Sequence, residues 1–245
     1  MTISKAFSSI LTKDWEINFL QCYPDGTLKH TDLCNIIQLM AGLHAELGGI
    51  SFSDMQVNNQ AWVLSKMRVE IKRLPKWKEI ITVKTWINSL ENSRSIRCVE
   101  MYIGEEKIVG CETFWAVFNT NSRRPENLAL PHHHFEKFDS RATKIPLSKI
   151  DIQQEMQLLV NYQVQLSDLD IVNHVNSVKY LEWCINCVDY QIIQKQQIDS
   201  FEMNYLKELS LHDRVGINQN KLANAIIFKI HQEEKANFAL QLYLK

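Results

Sequence analysis

The same order of elements is written twice along this chain, and that repetition limits its fold more than any single residue does. In the first half a short strand around 15–23 precedes a helical stretch opened by Thr31. Leu33, Ile36, Ile37, Met40, Leu43 and Leu47 recur there at the spacing of one apolar helix face, and Gly48-Gly49 supplies a stop. Strands follow. Met67, Val69 and Ile71 alternate with Lys66, Arg68, Glu70 and Lys72, which predicts a half-buried strand with one wet face. Segments 79–88, 93–103 and 107–119 read as three more, the last two joined by a turn at Gly104-Glu105-Glu106.

Segment 123–153 breaks the pattern with Pro125, Pro131, Pro146, His132-His133-His134 and many charges, and reads as a solvated connector. The plan then repeats. Tyr162, Val164 and Leu166 alternate in a strand, and a helix from near Asn176 carries Val178, Leu181, Ile185, Val188 and Ile192 on one face. Strands at 201–206, 214–219, 225–232 and 238–244 complete the set. A helix that is apolar on one face needs a sheet to cover it, and the simplest arrangement wraps the sheet around the helix. The expected fold class is α+β, with two tandem domains, each a long helix wrapped by an antiparallel β-sheet. At 245 residues the chain suits one large domain or two of ordinary size; the repeated plan favours two, placed at 1–122 and 154–245 around a linker at 123–153.

Composition narrows the function classes. Hydrophobic residues at 45% and charged residues at 22% suit a globular protein with a real core, and a net charge of −1 gives no footing for nucleic acid. No window approaches the roughly 18 apolar residues of a membrane span. The opening residues lack both the apolar run of a signal peptide and the Arg-rich character of a transit sequence, so a cytoplasmic location is expected. Six cysteines are then expected as reduced thiols. Cys184 and Cys187 form a CxxC inside a helical pattern with no second pair, which is weak evidence for a metal.

Chemistry concentrates where a strand passes into the second helix, in Ser167-Asp168-Leu169-Asp170-Ile171-Val172-Asn173-His174-Val175-Asn176. So many polar groups fill a core badly, but they aim side chains and backbone N–H groups well. A helix start offers donors and a positive dipole end to a developing oxyanion, and a carboxylate beside an imidazole can hold a water or take its proton. A core histidine is the blander reading of His174, and its company of Asp170 and Asn176 favours function. Asp168 and Asn176 read as structural, bonding loop amides and capping the helix. Tyr180 and Trp183 read as core.

The stretch Asp168 to Trp183 (DLDIVNHVNSVKYLEW) is similar to the DxDxxxHVNN-type motif of hot-dog thioesterases. It resembles more closely the fatty acyl-acyl carrier protein thioesterases of bacteria and plants. The likeness continues in Pro24-Asp25-Gly26-Thr27-Leu28, His44-Ala45-Glu46-Leu47-Gly48 and Ala61-Trp62-Val63-Leu64-Ser65. It runs on through Arg73-Leu74-Pro75-Lys76-Trp77, Val83-Lys84-Thr85-Trp86, Arg123-Arg124-Pro125, Asn204-Tyr205-Leu206-Lys207-Glu208 and Asp213-Arg214-Val215. The resemblance implies two hot-dog domains and hydrolysis of fatty acyl thioesters on acyl carrier protein, in fatty acid biosynthesis, without metal or cofactor.

By the same resemblance Asp170, His174 and Glu208 are the catalytic candidates, with Glu208 on a strand. The family's asparagine falls two places after the aspartate, where this chain has Val172. Either the loop re-registers so that Asn173 serves, or the site works without the amide. Plant members carry a Cys after the Glu; Leu209 stands here, which excludes a cysteine nucleophile at that place. The first-half junction has Asp25 but Lys29 where the second has His174, so no working site is expected there. The first domain would instead line an acyl tunnel, with Ile36, Met40, Leu43 and Trp62 against substrate. Arg68, Lys72, Arg73, Lys76 and Lys78 are either a docking face for an acidic carrier or simply a wet strand face. An acyl-CoA substrate, 3-hydroxyacyl dehydration, silent acyl or carrier binding, and a homodimer stay open. Glu208 and the HVN motif favour hydrolysis.

Overall fold

The first apolar stripe is realised as α1 (His30–Leu47), which buries Leu33, Ile36, Ile37 and Met40. Its N-cap is Lys29, two places before Thr31 and without a side-chain cap bond; Gly48 ends it, and Gly49 turns the chain at φ +71°. The computed structural model describes residues 3–245. It divides into two units, Met1–Ser65 with Lys72–Pro146 and Lys66–Ile71 with Leu147–Lys245.

Unit 1 holds α1, the short α2 (Phe52–Gln56) and the strands β1 (Ile10–Glu16), β2 (Gln60–Ile71), β3 (Ile80–Glu91), β4 (Arg94–Ile103) and β5 (Glu106–Asn119), with residues 66–71 of β2 belonging to unit 2. The strands lie in the order β1-β3-β4-β5-β2, and a two-residue β6 (Arg124–Pro125) flanks β5. Registers such as Thr85 opposite Val99, and Val99 opposite Cys111, direct one face toward α1. The strand expected at 15–23 lies earlier. Asn18 accepts from Leu20 N (3.0 Å) and caps a 3-10 turn at Phe19–Gln21, which ends the extended chain.

Unit 2 repeats this plan with β7 (Gln157–Gln163), α3 (Ser177–Ile185), α4 (Tyr190–Gln194), β8 (Ile198–Tyr205), β9 (Arg214–Lys221), β10 (Ala225–Gln232) and β11 (Lys235–Leu244). Its order is β7-β9-β10-β11-β8, followed by residues 66–71 of β2, where Arg68 faces Glu202. A 3-10 turn at Leu166–Asp168 replaces the end of the expected strand. The single helix expected from Asn176 to Ile192 is two, because Asp189 accepts from Gln191 N (2.8 Å) and caps a new start.

Two expectations about solvation are corrected. The connector is not simply solvated: Leu128, Leu130 and Phe135 join the core of Ala45, Ile50 and Leu90, and Ala142 packs on Trp86 and Cys98. The Phe135 ring would lie 2.0 Å from a Cβ at Gly48, so that close approach requires glycine. His134 meets Gly48 O at 2.8 Å, so the histidine run is partly tied down. The face of β2 read as wet is closed at Arg68 within unit 2, while Lys66 and Glu70 are half-buried and Lys72 stays exposed. Arg68 is 2% exposed and Glu202 fully buried, with Nη1 and Oε2 3.4 Å apart. Glu202 also accepts from Ser148 Oγ (2.8 Å) and Ser148 N. Arg68 therefore cannot receive a partner protein.

Unit 1 buries a different polar pair. His44 Nδ1 accepts from Arg97 Nη1 (2.6 Å), while its Nε2 meets Ser8 O (2.9 Å). Burial first, then the Arg97 charge, lowers the His44 pKa to about 3 against the raising effect of the Ser8 bond, so the ring stays neutral.

The Arg68–Glu202 pair gives a stability test. Arg68→Met leaves Glu202 buried without its cation and should cost about 3–5 kcal/mol, whereas Arg68→Met with Glu202→Leu should recover much of that loss. Urea unfolding of the three proteins measures it; a harmless single substitution would contradict the pairing.

Candidate active site

Asp168 is 3% exposed and accepts from Tyr162 Oη and Gln165 N, both at 2.8 Å, which fixes the entry to the turn. The chain then folds back on itself. Leu169 bridges Val175, Asp170 N donates to His174 O (2.9 Å), and Asn173 N donates to Asp170 O (3.1 Å). The Asp170 Oδ1 accepts from Val172 N (3.0 Å) and His174 N (3.3 Å), so this oxygen is engaged inside the turn. Asn173 is exposed and takes φ +61°. Asn176 caps α3 through Val178 N (2.9 Å), as its sequence position suggests.

Glu208 comes from the other side. It lies in the loop three residues past the end of β8, not on the strand. The reason is local: Leu206 N and Lys207 N both donate to Asn237 O (2.9 and 3.0 Å), which stops the regular ladder. The next residue, Leu209, is fully buried; its O accepts from Val175 N (2.9 Å) and its N donates to Tyr180 Oη (3.1 Å). These bonds bring the loop against the turn. His174 Nε2 and Glu208 Oε2 stand 3.5 Å apart, with side chains 29% and 36% exposed, so a water molecule can reach both. Asp170, Asn173 and His174 thus share one turn, and Glu208 joins them from a second loop.

The helix start is less open than its sequence suggests. The amides of Val172, His174, Val175, Val178 and Lys179 all have acceptors inside the protein. The His174 ring, by contrast, is partly exposed, with Nε2 3.5 Å from Glu208 Oε2. Burial pushes the Tyr180 phenol up; the bond from Leu209 N opposes this, and Glu208, Asp213 and Asp170 add to the rise, so the hydroxyl remains neutral.

Unit 1 shows the same turn with other side chains. Cys22 bridges Leu28, Tyr23 N donates to Thr27 O (2.7 Å), and Gly26 N donates to Tyr23 O (2.9 Å) at φ +79°. This register sets Thr27 against His174, Tyr23 against Asp170, Gly26 against Asn173 and Lys29 against Asn176. The pairing of Lys29 with His174 expected from sequence is therefore two residues out. Leu28 N donates to Pro75 O (2.8 Å), which sets Leu74 against Glu208. Neither the imidazole nor the carboxylate has a counterpart in unit 1.

The candidate substrate residues all lie in unit 1. Ile36 and Met40 are buried on α1, Leu43 is half-buried there, and Trp62 packs on the Ile50–Phe135 cluster with Nε1 donating to Ile50 O (3.1 Å). Among the described residues no three His, Cys, Asp or Glu side chains gather to hold a metal, and the six cysteines are free thiols. No helix among them is long and apolar enough to cross a membrane.

Comparison with known proteins bears on the fold. Residues 9–130 match the acyl-ACP thioesterase N-terminal domain, and residues 151–244 match the acyl-ACP thioesterase C-terminal domain. A chloroplastic oleoyl-acyl carrier protein thioesterase of Coriandrum sativum is 23% identical over 220 residues, covering 80% of this chain. The chain spans only 59% of that relative's length. The crystal structure of an acyl-ACP thioesterase from Bacteroides thetaiotaomicron superposes with a TM-score of 0.90 at 22% identity, covering 97% of this chain and 98% of the other. The 12:0-ACP thioesterase of Umbellularia californica gives 0.82 at 18%, with coverage of 97% and 98%. These likenesses establish the α+β double hot-dog fold.

The left-handed turn position gives a prediction. Asn173→Gly should leave the melting temperature within a degree or two, because glycine takes φ +61° freely, whereas Asn173→Val should lose about 1–2 kcal/mol. Thermal unfolding checks it, and equal melting temperatures for the two variants would show that the turn does not require this conformation.

Proposed function

The chain belongs to the acyl-ACP thioesterase family, and from that premise we propose that it hydrolyses fatty acyl groups from acyl carrier protein, releasing free fatty acid for lipid metabolism. The observation that carries the reading is the approach of His174 and Glu208 across 3.5 Å, from two separate loops, in the unit whose counterpart has neither. The hydrolysis needs a base for water, a donor for the carbonyl oxygen and a leaving thiol.

In this mechanism Glu208 takes the proton of a water molecule as its oxygen attacks the thioester carbon. His174 Nε2 donates to the oxygen that gains charge, in place of the helix-start amides, which are already bonded. Asp170 holds the turn with one carboxylate oxygen and leaves the other to orient water. Asn173 keeps a place in the proposal through its exposed amide, and Asn173→Gly tests that role in the same protein that tests the backbone. Collapse of the tetrahedral intermediate breaks the carbon–sulfur bond, and the thiolate recovers a proton. Attack by Asp170 itself is disfavoured because two backbone amides already draw on its carboxylate.

We extend the proposal to the setting of the reaction. The first domain would bind the acyl chain beside Ile36, Met40, Leu43 and Trp62. Exposed Lys72, Lys76 and Lys78, with half-buried Arg73, would meet the acidic carrier, although Lys72 and Arg73 already pair with Glu106 and Glu79. The reaction would take place in the cytoplasm.

Two measurements test the reading. Glu208→Gln and Asp170→Asn should each keep the fold and lower turnover by roughly 10²-fold or more, as loss of a general base or its partner does. Release of thiol from acyl-carrier and acyl-CoA substrates is the assay, and near-normal rates in both variants would remove the site assignment. A single turnover in ¹⁸O-water should label the fatty acid; label on Asp170 would mean an anhydride intermediate. Separately, Met40→Trp should move the product profile toward shorter chains, since each excluded methylene forfeits about 0.8 kcal/mol of burial. An unchanged profile would place the acyl site away from α1.

A further inference from the structure

Within that proposed reaction, we infer that Tyr180, assisted by Asn237, is a positioning residue that holds the Glu208 loop against His174. Glu208 sits between two anchored neighbours. On one side Asn237 O accepts from Leu206 N and Lys207 N (2.9 and 3.0 Å), and Asn237 Nδ2 donates to Lys207 O (3.4 Å). On the other side Leu209 N donates to Tyr180 Oη (3.1 Å) while Leu209 O takes Val175 N (2.9 Å). Tyr180, Asn237 and Leu209 are 4%, 1% and 0% exposed, so the groups that anchor the loop are buried and the Tyr180–Leu209 bond is shielded from water. The Tyr180 ring also packs on Phe238, with centroids 5.2 Å apart, which joins the two anchors to each other.

Unit 1 supplies the control, because it keeps the backbone and drops the polar anchors together. Leu28 N to Pro75 O (2.8 Å) matches Val175 N to Leu209 O, and Lys72 N to Ile108 O (2.8 Å) matches Leu206 N to Asn237 O. In that register Leu33 takes the place of Tyr180, four residues past the cap, and Ile108 takes the place of Asn237. Pro75, which has no N–H, takes the place of Leu209, and Leu74 that of Glu208. Where no carboxylate needs placing there is no amide to bind, no hydroxyl to bind it and no amide side chain beyond. Tyrosine as mere core filling gives no reason for these four positions to differ as a set.

The test compares Tyr180→Phe, Asn237→Ile and Glu208→Gln with the parent chain and with Val178→Ala, a cavity variant on the same helix. Thiol release is followed as kcat and KM across pH, together with hydrogen exchange of the segment 206–210. Tyr180→Phe should lower kcat about tenfold with KM within twofold, shift the acid limb of the kcat profile and speed exchange at Leu209, since small misplacements of a reacting group are costly. Asn237→Ile should act in the same direction by a few-fold, which keeps the inference testable if Tyr180→Phe folds poorly. Val178→Ala should lower the melting temperature and leave the pH profile alone. If Glu208→Gln is inactive while Tyr180→Phe and Asn237→Ile keep the parent kcat, pH profile and exchange, positioning is refuted and the catalytic reading stands. If the parent releases no thiol, or Glu208→Gln works normally, both fall.

Discussion

One backbone hydrogen bond organises each half of this protein: the residue before the helix cap donates to the loop that follows the first long strand. It is Leu28 N to Pro75 O in unit 1 and Val175 N to Leu209 O in unit 2, at 2.8 and 2.9 Å. A helix packed on a sheet can slide and rotate against it, because apolar contact is not directional. A hydrogen bond between buried backbone groups is directional and costly to leave unmade, so it fixes where the helix begins relative to the sheet edge. In unit 2 the consequence is chemical. His174 precedes the donor and Glu208 precedes the acceptor, so a bond one residue away from each sets their 3.5 Å approach.

The two units therefore show which parts of the plan are architecture and which are chemistry. Both keep the isolated bridge around the turn, the left-handed residue inside it and the same strand order. They part at His174 and Thr27, at Glu208 and Leu74, and at the buried Tyr180 and Leu33. Leu33 and Tyr180 are both buried, so the helix position stays enclosed in either unit. A duplicated frame can thus lose or gain a polar site without losing its core.

Much of this was legible in the sequence because it rests on periodicity and short-range signals. The stripe on α1, the glycine stop after Leu47, the turn at Gly104 and the cap at Asn176 depend on neighbours within a few residues. What sequence misplaced depends on distant partners. Arg68 reads as solvated because charged and apolar residues alternate around it, yet Glu202, 134 residues away, makes it a buried cation. Phe135 lies in a polar connector but finds the end of α1 at Gly48. Glu208 reads as part of a strand because nothing nearby reveals that Asn237 O takes two successive amides. The motif around His174 was visible; its register against the first half was not, since Lys29 and Thr27 are separable only by turn geometry.

Catalytic side chains and their supports differ in visibility for a physical reason. His174 and Glu208 are about a third exposed, and a polar contact at that distance and exposure is worth little by itself, because solvent competes for both partners. Their mutual attraction cannot be what holds them in register. The holding falls to buried groups: Val175 on Leu209, and Tyr180 on the amide beside Glu208. Polar residues in an otherwise solvated motif announce themselves, whereas a buried tyrosine on an apolar helix face looks like core. Only the partner of its hydroxyl separates packing from positioning, and that partner lies 29 residues away in the chain.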